Sequence, residues 1–161
     1  MPSNRAFWLM KSEPSVFSID DLKRAENRTT FWDGVRNYQA RNFLRDRIHP
    51  GDGVLFYHSG ADPSGIAGEA TVVRGGSPDP TAFDPDDVHY DPKSRPDRPV
   101  WFGVEVQFVR ACPKIISLDR LRRMGALKDM MVLRRGMRLS IQPVTPGEWE
   151  AIMKLPEWRG K

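Results

Sequence analysis

Apolar and polar positions change their spacing several times along the chain, and each change predicts an element. Phe7-Trp8-Leu9-Met10 is an apolar run that ends in Lys11-Ser12-Glu13-Pro14. It predicts a buried strand closed by the proline, with Lys11, Ser12 and Glu13 presented toward an opening. Ser18 followed by Asp21 has the spacing of a capping box and predicts a short helix to about Ala25, with residues 26–30 as loop. Asp33-Gly34 is a turn pair, and Ala40, Phe43, Leu44 and Ile48 then follow helical spacing, which predicts a helix from about Val35 to Ile48. His49-Pro50-Gly51-Asp52-Gly53 breaks it. Val54 to Ser59 shows little alternation and predicts a strand buried on both faces, paired as a hairpin with Ile66 to Arg74.

Gly75 to Pro99 is a long proline- and aspartate-rich loop, a length that in compact proteins usually serves function or is disordered. Val100 to Val109 alternates cleanly, with Val100, Phe102, Val104, Val106 and Phe108 facing one way and Trp101, Gly103, Glu105 and Gln107 the other. Ser117 caps a short helix, Met130 to Arg135 is a further turn or helix, and Arg138 to Pro143 a last short strand. Thr145, Pro146 and Glu148 then have the signature of a closing helix to about Lys154. Short strands scattered among short helices predict an α+β fold whose mixed sheet forms a partly closed barrel with short flanking helices, in a single domain over residues 1–161.

Composition narrows the classes. A 161-residue chain with 39% hydrophobic residues buries a real core, and no uncharged run approaches the roughly 20 residues of a membrane span. No basic segment leads into an apolar one at the start, so export is not expected. One cysteine, Cys112, excludes an internal disulfide and any multi-cysteine zinc site. The expected setting is a reducing one: the cytoplasm, or the nucleus in a eukaryote. The net charge of +4 is unevenly spread. Eight lysines and arginines lie between Lys114 and Arg138, and five aspartates with no lysine or arginine between Asp79 and Asp91. The basic segment fits either a polyanion or a merely solvated helix face.

Several chemistries lack their residues. His49, His58 and His89 are not spaced for zinc, and no serine-hydrolase elbow or phosphate loop occurs. No metal or cofactor is implied. What remains is Trp32, a flat stacking surface, followed within six residues by a turn, Arg36, Asn37 and Tyr38. A core tryptophan before an ordinary helix gives the same pattern. Lys11, Ser12 and Glu13 end one strand, and Tyr57, His58 and Ser59 another. If those ends meet beside Trp32, a slot bordered by Lys11, Asn37 and Tyr57 has the donors and acceptors to read a base edge.

These residues carry a close resemblance. Trp8-Leu9-Met10-Lys11-Ser12-Glu13-Pro14, Ser18-Ile19-Asp20-Asp21-Leu22 and the run from Trp32 to Asn42 resemble the EVE domain family, as do Gly51-Asp52 before Val54 to Ser59, Tyr90 to Ser94, and Leu139 to Val144. The match spans residues 7 to about 152. The resemblance implies a PUA-like fold, related to the YTH and ASCH domains. It further implies a non-catalytic reader that receives a modified base, a methylated or otherwise altered cytosine or adenine of DNA or RNA. The pocket positions it implies are Lys11, Ser12, Trp32, Val35, Arg36, Asn37, Tyr57, His58, Ser59 and Gln142, with Glu13, Tyr90, Asp91 and Pro92 at the rim. Arg41, Arg45, Arg134, Arg135 and Arg138 are the candidates for phosphate contacts, on a chain expected to act as a monomer. The Asp79-rich loop is a segment where variation is expected.

Two other readings stay open. ASCH relatives include amidohydrolases of acylated nucleosides, for which Lys11, Ser12 and Glu13 would supply base, nucleophile and orienting acid. A protein-interaction module would use the basic stretch alone. For a reader, stacking on Trp32 returns about 1–3 kcal/mol, and one buried methyl only about 0.8 kcal/mol, roughly fourfold in affinity. Preference for the modified base is therefore expected to be modest unless Tyr57 or Trp101 also lines the pocket.

Overall fold

The computed structural model describes residues 5–160. Six strands form one mixed sheet: β1 (Phe7–Ser12), β2 (Thr29–Phe31), β3 (Gly53–His58), β4 (Gly65–Pro78), β5 (Phe102–Ser117) and β6 (Ile141–Val144), in spatial order β2-β5-β4-β3-β1-β6. Only β1 and β3 run parallel; every other neighbouring pair is antiparallel. The end strands β2 and β6 do not pair, so the sheet curls without closing. Register shifts along the β4–β5 pair supply bends, since a bulge locally increases twist. Short helices flank the sheet: α1 (Ile19–Arg24), α2 (Tyr38–Asn42), α3 (Leu118–Arg122) and α4 (Pro146–Met153).

Strand pleating divides the interior in two. Trp8, Met10, Val54 and Phe56 point into a core shared with Trp32, Leu44, Val104 and Val106. Leu9, Leu55 and Tyr57 point the other way, against Leu121, Trp149 and Trp158. Because successive strand side chains alternate faces, β1 and β3 are buried on both sides, as their continuous apolar runs predict.

The sequence expectations hold for β1, for the β3–β4 hairpin, and for both capping boxes, at Ser18 and Thr145. Several elements differ, among them β6, which is Ile141–Val144 rather than 138–143. Residues 26–30 are expected as loop, yet Thr29–Phe31 is the edge strand β2; three residues are too few to show a period. The expected 35–48 helix starts only at Tyr38, because the Asn37 side chain accepts from the Ala40 N–H and fixes the N-cap there. It is also not uniform: residues Phe43–Arg47 form a π turn, with the Ile48 N–H donating to the Phe43 carbonyl. Strand β4 extends to Pro78, into the expected loop, and β5 begins at Phe102 and runs to Ser117. Trp101 therefore precedes the strand rather than alternating within it, and is buried, stacked on Tyr38 with its indole N–H bonded to Asp91.

One buried carboxylate ties the start of β1 to the turn before β3. Asp52 accepts from the Ala6 N–H, the Trp8 indole N–H and the His49 N–H, at 3.1, 3.0 and 2.9 Å. Asp52→Ala orphans three donors and is expected to cost about 3 kcal/mol or more in urea unfolding, with Asp52→Asn costing less.

Candidate functional site

The turn after β2 is held from a distance. Gly34 adopts φ +77°, a conformation that glycine enters without strain, and a Cβ there would lie 2.8 Å from the His89 ring. Its N–H donates to Asp79 Oδ2 at 2.8 Å. Asp79, fully buried, also accepts from Arg36 Nη1 at 2.9 Å and from the Thr81 N–H and hydroxyl at 2.9 and 2.6 Å. Arg36 spends its other donors on the His89, Val35 and Thr81 oxygens. Burial works against ionisation of Asp79, but the donors from Thr81, Gly34 and Arg36 together outweigh it and hold the carboxyl below its usual range.

Beside this turn opens a cavity of about 330 Å³, within the range of small-molecule sites. The end of β1 supplies Lys11 and Ser12 to its wall, the following loop Val16 and Phe17, strand β2 Thr30 and Phe31, and the segment after it Trp32, Asp33 and Gly34, together with His89. Trp32 belongs to the core and is 8% exposed, packed edge-on against Phe56, yet it borders the opening. Its backbone N–H donates to the Val104 carbonyl, and its own carbonyl lies where a Cβ on Gly103 would be. The Trp8, Trp101 and Trp158 indoles have acceptors, whereas that of Trp32 has none among the described residues.

The predicted positions are split by the pleat. In the parallel β1–β3 register Lys11 lies opposite Tyr57 and Ser12 opposite His58. Ser12 and His58 share the Trp32 side of the sheet and shape the cavity from behind: the Ser12 hydroxyl donates to the Phe17 carbonyl, and His58 Nε2 accepts from the Ile19 N–H. Burial lowers the His58 pKa, against a smaller opposing pull from Asp20, which favours the neutral acceptor form. Tyr57 is on the other side, with the Lys11 ammonium 5.8 Å from its ring centre. Burial raises the Tyr57 pKa and lowers that of Lys11. Lys11 and Tyr57 border a second cavity, of about 570 Å³, with Arg122, Arg134, Arg135 and Met137. Lys11 lines both cavities.

The expected slot is thus bordered by Lys11 but not by Asn37 or Tyr57. Asn37 is the cap of α2, Val35 is core, Arg36 is held by Asp79, and Ser59 contributes a backbone bond to the Ser12 carbonyl. Gln142 is buried on β6, donating to the Leu139 carbonyl. Glu13 is exposed, with its carboxyl toward Gly60, and Tyr90, Asp91 and Pro92 lie outside the cavity wall. Asp91 anchors its loop through Trp101, a bond that lowers its pKa. Arg41 donates to the Val100 carbonyl, and Arg45 is paired with Asp46. Phe17, Phe31, Asp33, Asp79 and His89 were not named as site residues from the sequence; the turn pair beside Trp32 pointed toward Asp33, and the aspartate-rich loop composition toward Asp79 and His89. Neither Tyr57 nor Trp101 lines the Trp32 cavity, but Phe17 and Phe31 do.

Asp79→Ala is expected to cost about 3–5 kcal/mol in chemical denaturation, because it strands the Arg36 charge and two backbone donors. Since the folded Asp79 pKa lies below the unfolded one, the stability it contributes is present above about pH 3.9 and is lost as pH falls through the folded value. Asp79→Ala should therefore flatten the acid limb of the stability profile.

Residues 6–155 match the family model of the EVE domain. Human thymocyte nuclear protein 1 is 45% identical over 167 residues, an alignment covering 93% of this chain and 73% of that protein. The crystal structure of the human protein in complex with 5-methylcytosine-containing DNA superimposes with a TM-score of 0.85 at 45% identity, covering 92% of this chain and 95% of that one. A hypothetical protein from Leishmania major gives a TM-score of 0.90 at 40% identity, with 98% of both chains covered. The chain belongs to the EVE domain family, and its open six-stranded mixed sheet is the PUA-like fold of that family.

Proposed function

We propose that the chain is a non-catalytic DNA-binding module that reads a modified base, with 5-methylcytosine as the first candidate. The observation that carries this reading is the aromatic-walled cavity beside Trp32, joined through Lys11 to a second cavity lined by arginines. A base extruded from a strand stacks against Trp32 with its methyl group near Phe17 or Phe31. Flipping out of a duplex costs a few kcal/mol, so single-stranded or mismatched sites bind more tightly. The 45% identical human protein, crystallised with 5-methylcytosine DNA, supports the choice of base.

Phosphates flanking the base fall to the second cavity, where Arg134 and Arg135 have no ion-pair partner among the described residues. Arg122, 3.6 Å from Asp119 across an exposed pair, remains available there, because such a pair is weak. Arg138 extends the same basic segment. Arg41 and Arg45, on the α2 side, are secondary contacts.

The polar contacts of Lys11, Ser12 and Glu13 give the hydrolase reading less support than the base-reading one. The Ser12 hydroxyl donates to the Phe17 carbonyl, the Lys11 ammonium lies 5.8 Å from the Tyr57 ring centre, and the Glu13 carboxyl lies toward Gly60. Nucleophilic catalysis needs nucleophile and base within hydrogen-bond reach.

Binding to a short single-stranded DNA with one central 5-methylcytosine, against its unmodified twin, tests the proposal. Wild type should prefer the methylated strand by about fourfold or more. Trp32→Leu, which keeps apolar volume without a flat face, should lose that preference with its circular dichroism spectrum unchanged; retained preference removes Trp32 from the site. Arg134→Ser/Arg135→Ser should weaken both strands equally and reduce the slope of log K against log salt by about 1.4, two single-strand phosphate contacts. An unchanged slope would move the backbone path elsewhere.

A further inference from the structure

The base-reading proposal leaves open which atoms recognise the hydrogen-bonding edge. Most polar groups around the cavity are already used: the Ser12 hydroxyl on Phe17, the Gly34 N–H on Asp79, the His89 ring against Asp87. The Asp33 carboxyl is different. It sits on the cavity wall next to the stacking ring in sequence, and no hydrogen bond or ion pair holds it among the described residues. Its neighbours keep it in place without satisfying it, because Gly34 and Arg36 are both fastened to Asp79.

We propose that Asp33 is the specificity residue of the cavity: its carboxyl reads bases that carry an exocyclic amino group beside an unprotonated ring nitrogen, the cytosine and adenine type, and takes up a proton as it does so. This rests on the reading of the Trp32 cavity as the base site. In the neutral form one carboxyl oxygen accepts from the amino group and the hydroxyl donates to the ring nitrogen, so both atoms of the edge are paired. The proton comes from solvent and lies between an Asp33 oxygen and the ring nitrogen. An ionised carboxylate would satisfy the amino group and set its charge against the lone pair of the ring nitrogen.

The surroundings favour the neutral form. Asp33 is exposed at the cavity mouth, yet partial desolvation along the wall raises its pKa; the Asp79 and Asp87 carboxylates add to the shift, and His89 and Arg36 oppose it. Lys11 is the remaining charged group of the wall. A stacked base removes more solvent from the carboxyl, which raises its pKa further on binding. Affinity for an amino-bearing base therefore rises as pH falls. Thymine offers a ring N–H that an ionised carboxylate accepts directly, so its binding draws less on proton uptake.

The test is a fluorescence-anisotropy titration of the 5-methylcytosine strand and a thymine twin, from about pH 5.5 to about pH 8.5, a range also spanning histidine titration. It uses wild type, Asp33→Asn, Asp33→Ala and His89→Gln. Wild-type log Kd for the methylcytosine strand should rise with pH with a slope approaching ~1, one proton per complex, and the thymine strand should show a shallower slope. Asp33→Asn, whose amide both donates and accepts at every pH, should bind with no slope. Asp33→Ala should lose the slope and bind about tenfold more weakly at the acid end. His89→Gln should keep the wild-type slope. A slope that survives in Asp33→Asn, one abolished in His89→Gln, or a flat wild-type profile with methylcytosine still preferred would overturn the assignment while leaving the base site standing. Wild type that does not prefer the methylated strand at any pH would overturn the base site, and the assignment with it.

Discussion

The fully buried Asp79 carboxylate is the constraint on which the site depends. It gathers the Gly34 N–H, the Arg36 guanidinium and two donors of Thr81 into one node. A buried charge is tolerated only where its lone pairs are met by donors, and here four bonds meet them. The consequence is geometric. Gly34 is held at positive φ, the His89 loop is drawn over the turn through Arg36, and Trp32 and Asp33 are left at the mouth of a cavity in fixed register. Arg36 looks like a ligand-binding arginine in the sequence; in the fold it is the clasp between two loops, with Trp101 5.3 Å from its guanidinium carbon.

The second organising fact is the pleat of β1 and β3. Lys11 and Ser12 are adjacent in the chain and serve opposite faces. One face carries the aromatic cavity; the other carries a basic one in which Tyr57 and Arg134 take part. Lys11, at the end of β1, reaches both. An arrangement of this kind suits a ligand with a flat apolar part and a charged part joined by a short linker, which describes a nucleotide better than a free base.

Rigidity comes from the same economy of polar bonds. Ser12 and His58 brace the 13–19 loop from beneath, so the aromatic wall formed by Phe17 does not depend on ligand for its position. Asp91 braces Trp101, and Trp101 stacks on the exposed Tyr38, extending an aromatic and arginine-rich surface away from the cavity. On the proposed base-reading role, a wall held in place by its own bonds lowers the ordering cost of binding, against a methyl contribution of only about 0.8 kcal/mol.

By itself the sequence determined what local chemistry controls. The apolar runs of β1 and β3, the hairpin into β4, the capping boxes at Ser18 and Thr145, the prominence of Trp32 and the α+β class all follow from neighbours within a few residues. The resemblance carried by those motifs pointed to the right family. What only the tertiary structure decided depends on partners far apart in the chain. Asp79 meets Gly34 across 45 residues, and nothing in an aspartate-rich loop marks which aspartate will be buried. Strand β2 exists because β5 pairs with it, and Asn37 caps a helix that periodicity alone would begin earlier. Which side chains of two strand ends share a cavity was set by register and pleat, since a one-residue difference sends a side chain to the opposite face of the sheet.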